Sequence, residues 1–328
     1  MISSHTSFYP DDATERDRWI ISRRGAREPV SVERPYAFLV EEERFANGEI
    51  GGVATIFLTN RECPWHCAMC DLWRNTLTQI VPRGAIPAQI TYALDRLPTA
   101  RQIKLYNSGS FFDRGAIPPE DYGAIAALVS GFERVIVECH PALIGETYSQ
   151  FRSLCNGQLE VAMGLETAHP GVLAKLNKRM TLDQYGAAAD RLRSDGVALR
   201  SFVLVQPPFM RSDESLEWAC KSIDFAFDCS ATAITLLPTR AGNGAVDALV
   251  TLGLFVPPPL RIVEDALAYG IALGRGRVFV DLWDIDRVAS CPDCRATRVE
   301  RLKQMNLLQV LLECVACETC GGPLDRQV

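Results

Sequence analysis

With 328 residues and 48% hydrophobic content, the chain can bury a full core as one barrel or two ordinary domains. A formal net charge of −6 excludes global attraction to nucleic acid, so any RNA partner has to be held by a local patch. No apolar run approaches the roughly 20 residues of a membrane span, and the polar, mixed-charge start is no secretion signal. The expectation is a cytoplasmic protein without membrane contact.

Residues 1–50 are rich in charge and lack sustained periodicity, which predicts an N-terminal extension packed on the main domain. Beyond them, short apolar β-branched runs alternate with longer amphipathic segments. Strands are predicted at 53–58, 102–106, 134–138, 160–165, 198–205 and 233–237. Helices are predicted at 87–97, 119–129, 181–195 and 213–227. Ser212 is a candidate N-cap for the last helix, and Thr181 or Asp183 for the one before it. Alternating strand and helix implies an α/β fold with a parallel sheet and right-handed crossovers. Six units predict a partial (β/α)6 TIM-like barrel over 51–275, followed by a Cys-rich metal-binding segment over 276–328. A doubly wound open sheet is the structural alternative, and periodicity does not separate the two.

In such a barrel, chemistry gathers at the C-terminal strand ends. Polar or glycine-rich turns stand at most of them: Asn107, Ser108, Gly109 and Ser110; Glu138 to Pro141; Gly164 to Thr167; and Thr239 to Gly244.

The twelve cysteines sit in tight clusters rather than spread as a disulfide framework. That pattern predicts metal binding in a reducing compartment and no disulfides. The first cluster, Cys63, Cys67 and Cys70, has the spacing C-x3-C-x2-C and directly follows the first predicted strand. Three thiolates so close can hold three corners of a [4Fe–4S] cube and leave the fourth iron open. The alternative is half of a zinc site, completed by His66 or by distant cysteines. In the tail, Cys291 and Cys294 form one C-x2-C pair, and Cys317 and Cys320 form a second. Their spacing is that of a zinc ribbon, with an auxiliary iron–sulfur cluster as the alternative and Cys314 as a spare. Between the pairs, Arg295, Arg298, Arg301 and Lys303 read as a solvated face, or as a phosphate site if they bind anything. Cys139, Cys155, Cys220 and Cys229 read as small buried apolar residues. His66 reads as a spacer, and His140 and His169 as loop residues.

The cysteine motif resembles the signature of the radical S-adenosylmethionine (SAM) superfamily. The stretches KLYNSGSFFD, VIVECHP, VAMGLET, LNKRMT, LVQPPF and LLPTRAGNGAVDALVTLGLFVPPPL resemble its Elp3-like branch, and within it the radical-SAM subunit of archaeosine synthase. The resemblance runs from about Val53 to Leu260. It implies that Cys63, Cys67 and Cys70 ligate a [4Fe–4S] cluster whose open iron is chelated by SAM. It implies that the turn from Asn107 to Ser110 approaches the SAM amino group and that Glu138 meets the ribose. Glu166 stands where relatives often carry glutamine. Lys178 stands where many place an arginine against the methionyl carboxylate, and Met69 replaces a common aromatic beside adenine. Without the resemblance, Glu138 and Glu166 read equally as strand-end carboxylates paired with a base, and Lys178 as a solvated cation.

The implied activity is reductive SAM cleavage to a 5′-deoxyadenosyl radical that abstracts hydrogen from a substrate, with a tRNA base as one class. The implied electron donor is a flavodoxin or ferredoxin. The cysteine loop is shorter than that of the archaeosine subunit. Two other readings stand beside this one: a radical-SAM enzyme acting on a small molecule or peptide, and a non-enzymatic zinc-binding protein that interacts with RNA.

Overall fold

The computed structural model describes residues 8–320. In chain order the elements are α1 (Ala13–Ser22), β1 (Ala37–Arg44), β2 (Ile50–Leu58), α2 (Ala85–Leu94), β3 (Gln102–Asn107), α3 (Tyr122–Leu128), β4 (Arg134–Cys139), α4 (Glu146–Leu154) and β5 (Gln158–Glu166). They continue with α5 (Pro170–Lys175), α6 (Leu182–Ser194), β6 (Ala198–Val205), α7 (Ser215–Asp228), β7 (Ala233–Pro238), α8 (Ala245–Thr251), α9 (Leu260–Ala272), β8 (Arg277–Val280) and α10 (Arg295–Leu308). The strands form one sheet in sequential order, with β1 antiparallel to β2 and every later pair parallel. An order that never reverses gives no switch point, so the doubly wound alternative is excluded and the sheet curls into a half-barrel.

All six predicted strands form, and the sheet gains one strand at each end. The four predicted helices also form, but Ser212 caps none of them: α7 starts after Glu214 without a side-chain cap. Thr181 does cap α6, in a reciprocal capping box with Gln184. Alternate strand residues such as Ile56, Leu58, Ile103, Leu105, Val135, Val137, Val161 and Met163 bury against the outer helices.

The other strand face lines the lumen, and near the N-terminal strand ends it is ionic. Arg200 donates to Glu43 at 2.5 Å and to Glu160 at 2.7 Å, and Lys104 donates to Glu43 at 2.7 Å. Arg277 approaches Glu160 at 3.6 Å. This floor explains why β1 was illegible. Its Phe38 and Val40 pack on the core, while Glu41 and Glu43 point inward to meet cations on β3 and β6. A strand with its charges inside looks like a solvated extension when read for hydrophobic alternation.

The sheet does not close strand to strand. Helix α10 packs against both β1 and β8 and fills the seam. Two of its side chains imitate a neighbouring strand. Asn306 accepts from the Val280 N–H and donates to the Val280 carbonyl, both at 2.8 Å. Gln309 does the same for Val278, at 2.8 and 2.7 Å. An exposed strand edge is thereby satisfied without another strand.

Replacing both amides together (Asn306→Ala, Gln309→Ala) should lower unfolding free energy by about 2–4 kcal/mol, on the order of 1 kcal/mol per bond. Amide exchange at Val278 and Val280 should rise by tenfold or more. Unchanged protection at both positions would show that the edge is held by packing alone.

Candidate active site and tail metal centre

The loop carrying Cys63, Cys67 and Cys70 leaves the C-terminal end of β2, and its backbone is held from three sides. The Ala68 N–H donates to the Leu176 carbonyl at 2.9 Å. The Asn177 amide donates to the His66 carbonyl at 2.9 Å, from a residue with φ of +61° that asparagine tolerates. The Asn243 amide donates to the carbonyls of Ala68 and Cys70 at 2.8 and 3.1 Å, while its oxygen accepts from the Val246 N–H at 2.7 Å. These asparagines were not singled out from the sequence. Their only signal was position: one precedes Lys178, and the other sits between Gly242 and Gly244.

Trp65, inside the motif, stacks on His140 with centroids 3.8 Å apart and planes 8° from parallel. His140 Nδ1 accepts from the Ala142 N–H at 3.2 Å, which assigns the ring proton to Nε2, 3.0 Å from the Lys178 carbonyl. Burial, then the Lys178 cation, push its pKa down to about 4, so the ring is neutral at physiological pH. His140 lies in the loop after β4, as expected, and serves there as a buried strut. His66 contributes its carbonyl, and its ring lies 3.3 Å from Asp17.

The turn after β3 lies against this loop. A Cβ on Gly109 would come 3.0 Å from Cys63 Cβ and 3.4 Å from its Cα, so only glycine permits the approach. The Asn107 N–H donates to Glu138 at 2.5 Å, and the Ser108 N–H to Asn60 at 3.1 Å. Both polar atoms of the Asn107 side chain and the Ser108 hydroxyl are buried without a partner. The Ser110 hydroxyl is already engaged, donating to Cys139 Sγ and accepting from the His140 N–H, each at 3.3 Å. Burial pushes the Glu138 carboxyl up to about 8, against the opposing Asn107 N–H and Lys178.

Lys178 is half-buried rather than solvated and donates to Glu166 at 2.7 Å. Burial works against its charge, yet Glu166 and the thiols of Cys67 and Cys63 carry its pKa above the ordinary lysine value. Glu166 has φ of +65° at a register shift in β5, and a Cβ on Gly164 would collide with this pair. Met69 packs against the apolar clusters around Phe209.

These residues suit a metal cluster with a polar ligand beside it. Burial pushes all three loop thiols up to about 12, so a cation of their own is what would hold them as thiolates. The unpaired Asn107 and Ser108 groups are costly unless a ligand meets them. Of the four scattered cysteines, Cys139 is buried, whereas Cys155, Cys220 and Cys229 are only half-buried.

In the tail, the sulfurs of Cys291, Cys294, Cys317 and Cys320 all lie within 4.8 Å of one another, as the spacing predicted, while Cys314 stays exposed and apart. Backbone N–H groups of Cys320 and Thr319 help bring the Cys317 thiol down to about 7, whereas burial pushes Cys294 up to about 12. The expected basic face is not there. Arg298 and Arg301 are buried, both bound to Glu264 of α9, and Arg298 Nε also donates to Cys294 Sγ at 3.1 Å. Only Arg295 and Lys303 of that set are exposed, too little for the phosphate site considered above.

No family model matches the chain. An uncharacterised protein of Methanocaldococcus jannaschii is 22% identical over 235 residues, 67% of this chain and 64% of its own length. Archaeosine synthase subunit beta of Methanosarcina acetivorans is 27% identical over 234 residues, 67% of each chain. The subunit beta of Thermococcus kodakarensis is 28% identical over 129 residues, 37% of this chain and 39% of its own. The chain therefore spans about two thirds of the first two relatives and less of the third. Among solved structures, Elp3 of Methanocaldococcus infernus superposes with a TM-score of 0.51 at 12% identity, covering 77% of this chain and 63% of that one. Methylornithine synthase superposes at 0.50 and 10% identity, covering 84% and 73%. The chain thus shares its fold with Elp3 and methylornithine synthase and is similar in sequence to archaeosine synthase subunit beta. Among the described residues, no helix is long and apolar enough to cross a membrane.

Glu138 makes a pH prediction. Its folded pKa of about 8 lies above the ordinary 4.5, so the folded chain keeps a proton that the unfolded chain releases. Its contribution is full below pH 4.5, declines as pH rises towards 8 and is flat above. Glu138→Gln should abolish that slope and make the variant relatively more stable at pH 8 than at pH 5, by chemical denaturation of metal-free protein. A parallel pH profile in both proteins would mean that Glu138 is ionised in the folded state.

Proposed function

We propose that this chain is a radical-SAM enzyme that abstracts hydrogen from a tRNA base. The observation that carries the reading is a buried turn, Asn107 and Ser108, with unpaired polar groups, pressed against a three-cysteine loop at the C-terminal mouth of a parallel half-barrel. When bound, the cluster and SAM together supply a one-electron cleavage whose radical product takes a hydrogen atom from the substrate.

The chain's own residues take these roles. Cys63, Cys67 and Cys70 hold the [4Fe–4S] cluster, and Asn177 and Asn243 fix the loop that presents them. The turn from Asn107 to Ser110 meets the amino end of SAM through backbone and the unpaired Asn107 side chain. Glu138, protonated at neutral pH, offers a hydrogen-bond donor to the ribose. Lys178 meets the methionyl carboxylate, and Glu166 holds its ammonium in place. Met69 covers the adenine. Reduced flavodoxin or ferredoxin delivers the electron. The name of the Methanosarcina relative supports a tRNA base over a free metabolite.

For the tail we propose a structural zinc ion. Zinc–sulfur bonds of about 2.3 Å place tetrahedral ligands about 3.8 Å apart. The Cys291–Cys317 and Cys294–Cys320 sulfur pairs stand 3.8 and 3.3 Å apart. Four thiolates on four separate irons would need to stand farther from one another.

Under anaerobic conditions with dithionite and SAM, the protein should form 5′-deoxyadenosine. Replacing Cys63, Cys67 and Cys70 together with alanine should abolish it while one zinc per chain remains. Product formation by that triple variant would refute the site. About eight irons per chain with no zinc would instead refute the tail assignment.

Lys178→Ala should weaken SAM binding roughly ten- to a hundredfold, the loss of one charge-assisted bond. Unchanged affinity with full iron content would remove Lys178 from the SAM site.

A further inference from the structure

Arg240, just beyond β7, has a guanidinium Nε that is enclosed and meets no acceptor. Its Nη1 donates to the Trp283 carbonyl at 3.1 Å, and its nearest carboxylate, Asp281, stands 3.9 Å away. Two more arginines converge on the same turn. Arg74 donates to the Gly242 carbonyl and has no carboxylate partner among the described residues. Arg287 reaches within 3.0 Å of where a Gly242 Cβ would lie, and its one carboxylate is Asp284 at 3.4 Å. The turn's own acid, Asp247, is already engaged by the N–H groups of Gly242 and Gly244, at 3.1 and 2.6 Å.

Beside these cations Trp283 is 56% exposed. Its ring begins a line of aromatic side chains that leads down the lumen. Trp283 lies 6.3 Å from Phe57, Phe57 lies 6.2 Å from Tyr106, and Tyr106 lies 6.1 Å from Phe202. Phe57, Tyr106 and Phe202 are all only half-buried, although each points into a barrel whose floor is closed by ion pairs. Half-exposed rings in a lumen are a surface for a flat, stackable group. Arginines beside an exposed tryptophan are the combination that binds phosphates and an unstacked base.

We infer that Arg74, Arg240 and Arg287 form a collar that receives the phosphates of a looped RNA segment, while Trp283 guides one unstacked base into the aromatic lumen. The inference rests on the proposed tRNA reading and adds the surface that does the recognising. It places the arginines that would meet phosphate at the barrel mouth and not on the tail. The collar surrounds the same turn whose Asn243 holds the cysteine loop, so a bound strand would deliver its base beside the proposed cluster.

The test is anaerobic fluorescence anisotropy with a labelled, unmodified tRNA transcript and the full-length holoprotein, across a range of salt. Arg74→Ala and Arg287→Ala should each weaken binding several-fold and reduce the slope of log affinity against log salt by about 1. Trp283→Ala should weaken binding five- to fiftyfold and leave the salt slope unchanged, because a ring contributes stacking and not charge. Iron content and SAM-dependent 5′-deoxyadenosine formation without RNA should match the parent in all three variants. Wild-type affinity in all three, with parent protein that binds the transcript, would overturn the collar while sparing the tRNA reading. A parent protein that cleaves SAM but binds no transcript would overturn the tRNA reading itself. Displacement of the transcript by guanosine monophosphate at equal affinity would overturn the RNA assignment in favour of a free nucleotide.

Discussion

Charge buried inside the half-barrel is the constraint on which the remaining architecture rests. Glu43, Lys104, Glu160 and Arg200 come from β1, β3, β5 and β6, and no one of them is tolerable there without the others. Their pairing fixes how β1 is seated across from β6, far apart in strand order, and so requires the sheet to curl. Burial opposes the charge on Glu43, yet Arg200 and Lys104 hold its carboxyl far below the ordinary range. A closed ionic floor leaves only one end of the lumen open, the end where the cysteine loop, the Asn107 turn and the arginines gather. An apolar floor of similar volume would cost less desolvation, but it would not select the partner of each strand in the same way.

At the open end, two carboxyls only a strand apart have different partners. Glu166 has Lys178 for a partner, whereas Glu138 has one backbone N–H and a burial that favours the neutral acid. One group can therefore anchor a cation while the other donates a hydrogen bond, from the same residue type. The neutral His140 beneath Trp65 adds no charge to this balance. Burial dominates at the three thiols, with Lys178 the opposing cation at Cys63 and Cys67 and Arg24 the one at Cys70.

The tail belongs to this economy of closure as well. Cys294 stands at the N-cap position of α10, the helix that with Gln309 at its end satisfies the β8 edge, and Arg298 joins that cysteine to Glu264 on α9. A metal held by the quartet would therefore fix the helix that seals the seam, an element remote in sequence from β1 and packed against it in space.

The sequence by itself determined the six central strands, the class of sheet and the grouping of the four tail cysteines, because each signal is local: an apolar run, an alternation of strand and helix, a fixed cysteine spacing. It did not disclose β1, whose polar residues face inward, or β8, which is too short for a periodic signal. It placed a basic face on the tail because four cations lie close together in the chain, and only the fold showed that Arg298 and Arg301 turn inward to a glutamate on another helix. The asparagines that clamp the cysteine loop and the arginines around Gly242 were likewise invisible, since they come from segments separated by up to 175 residues. Spacing along the chain can assign ligands to a metal. Which side chains are left unpaired at the mouth, and so free to meet a substrate, is decided only when the sheet has curled and every nearer partner has been taken.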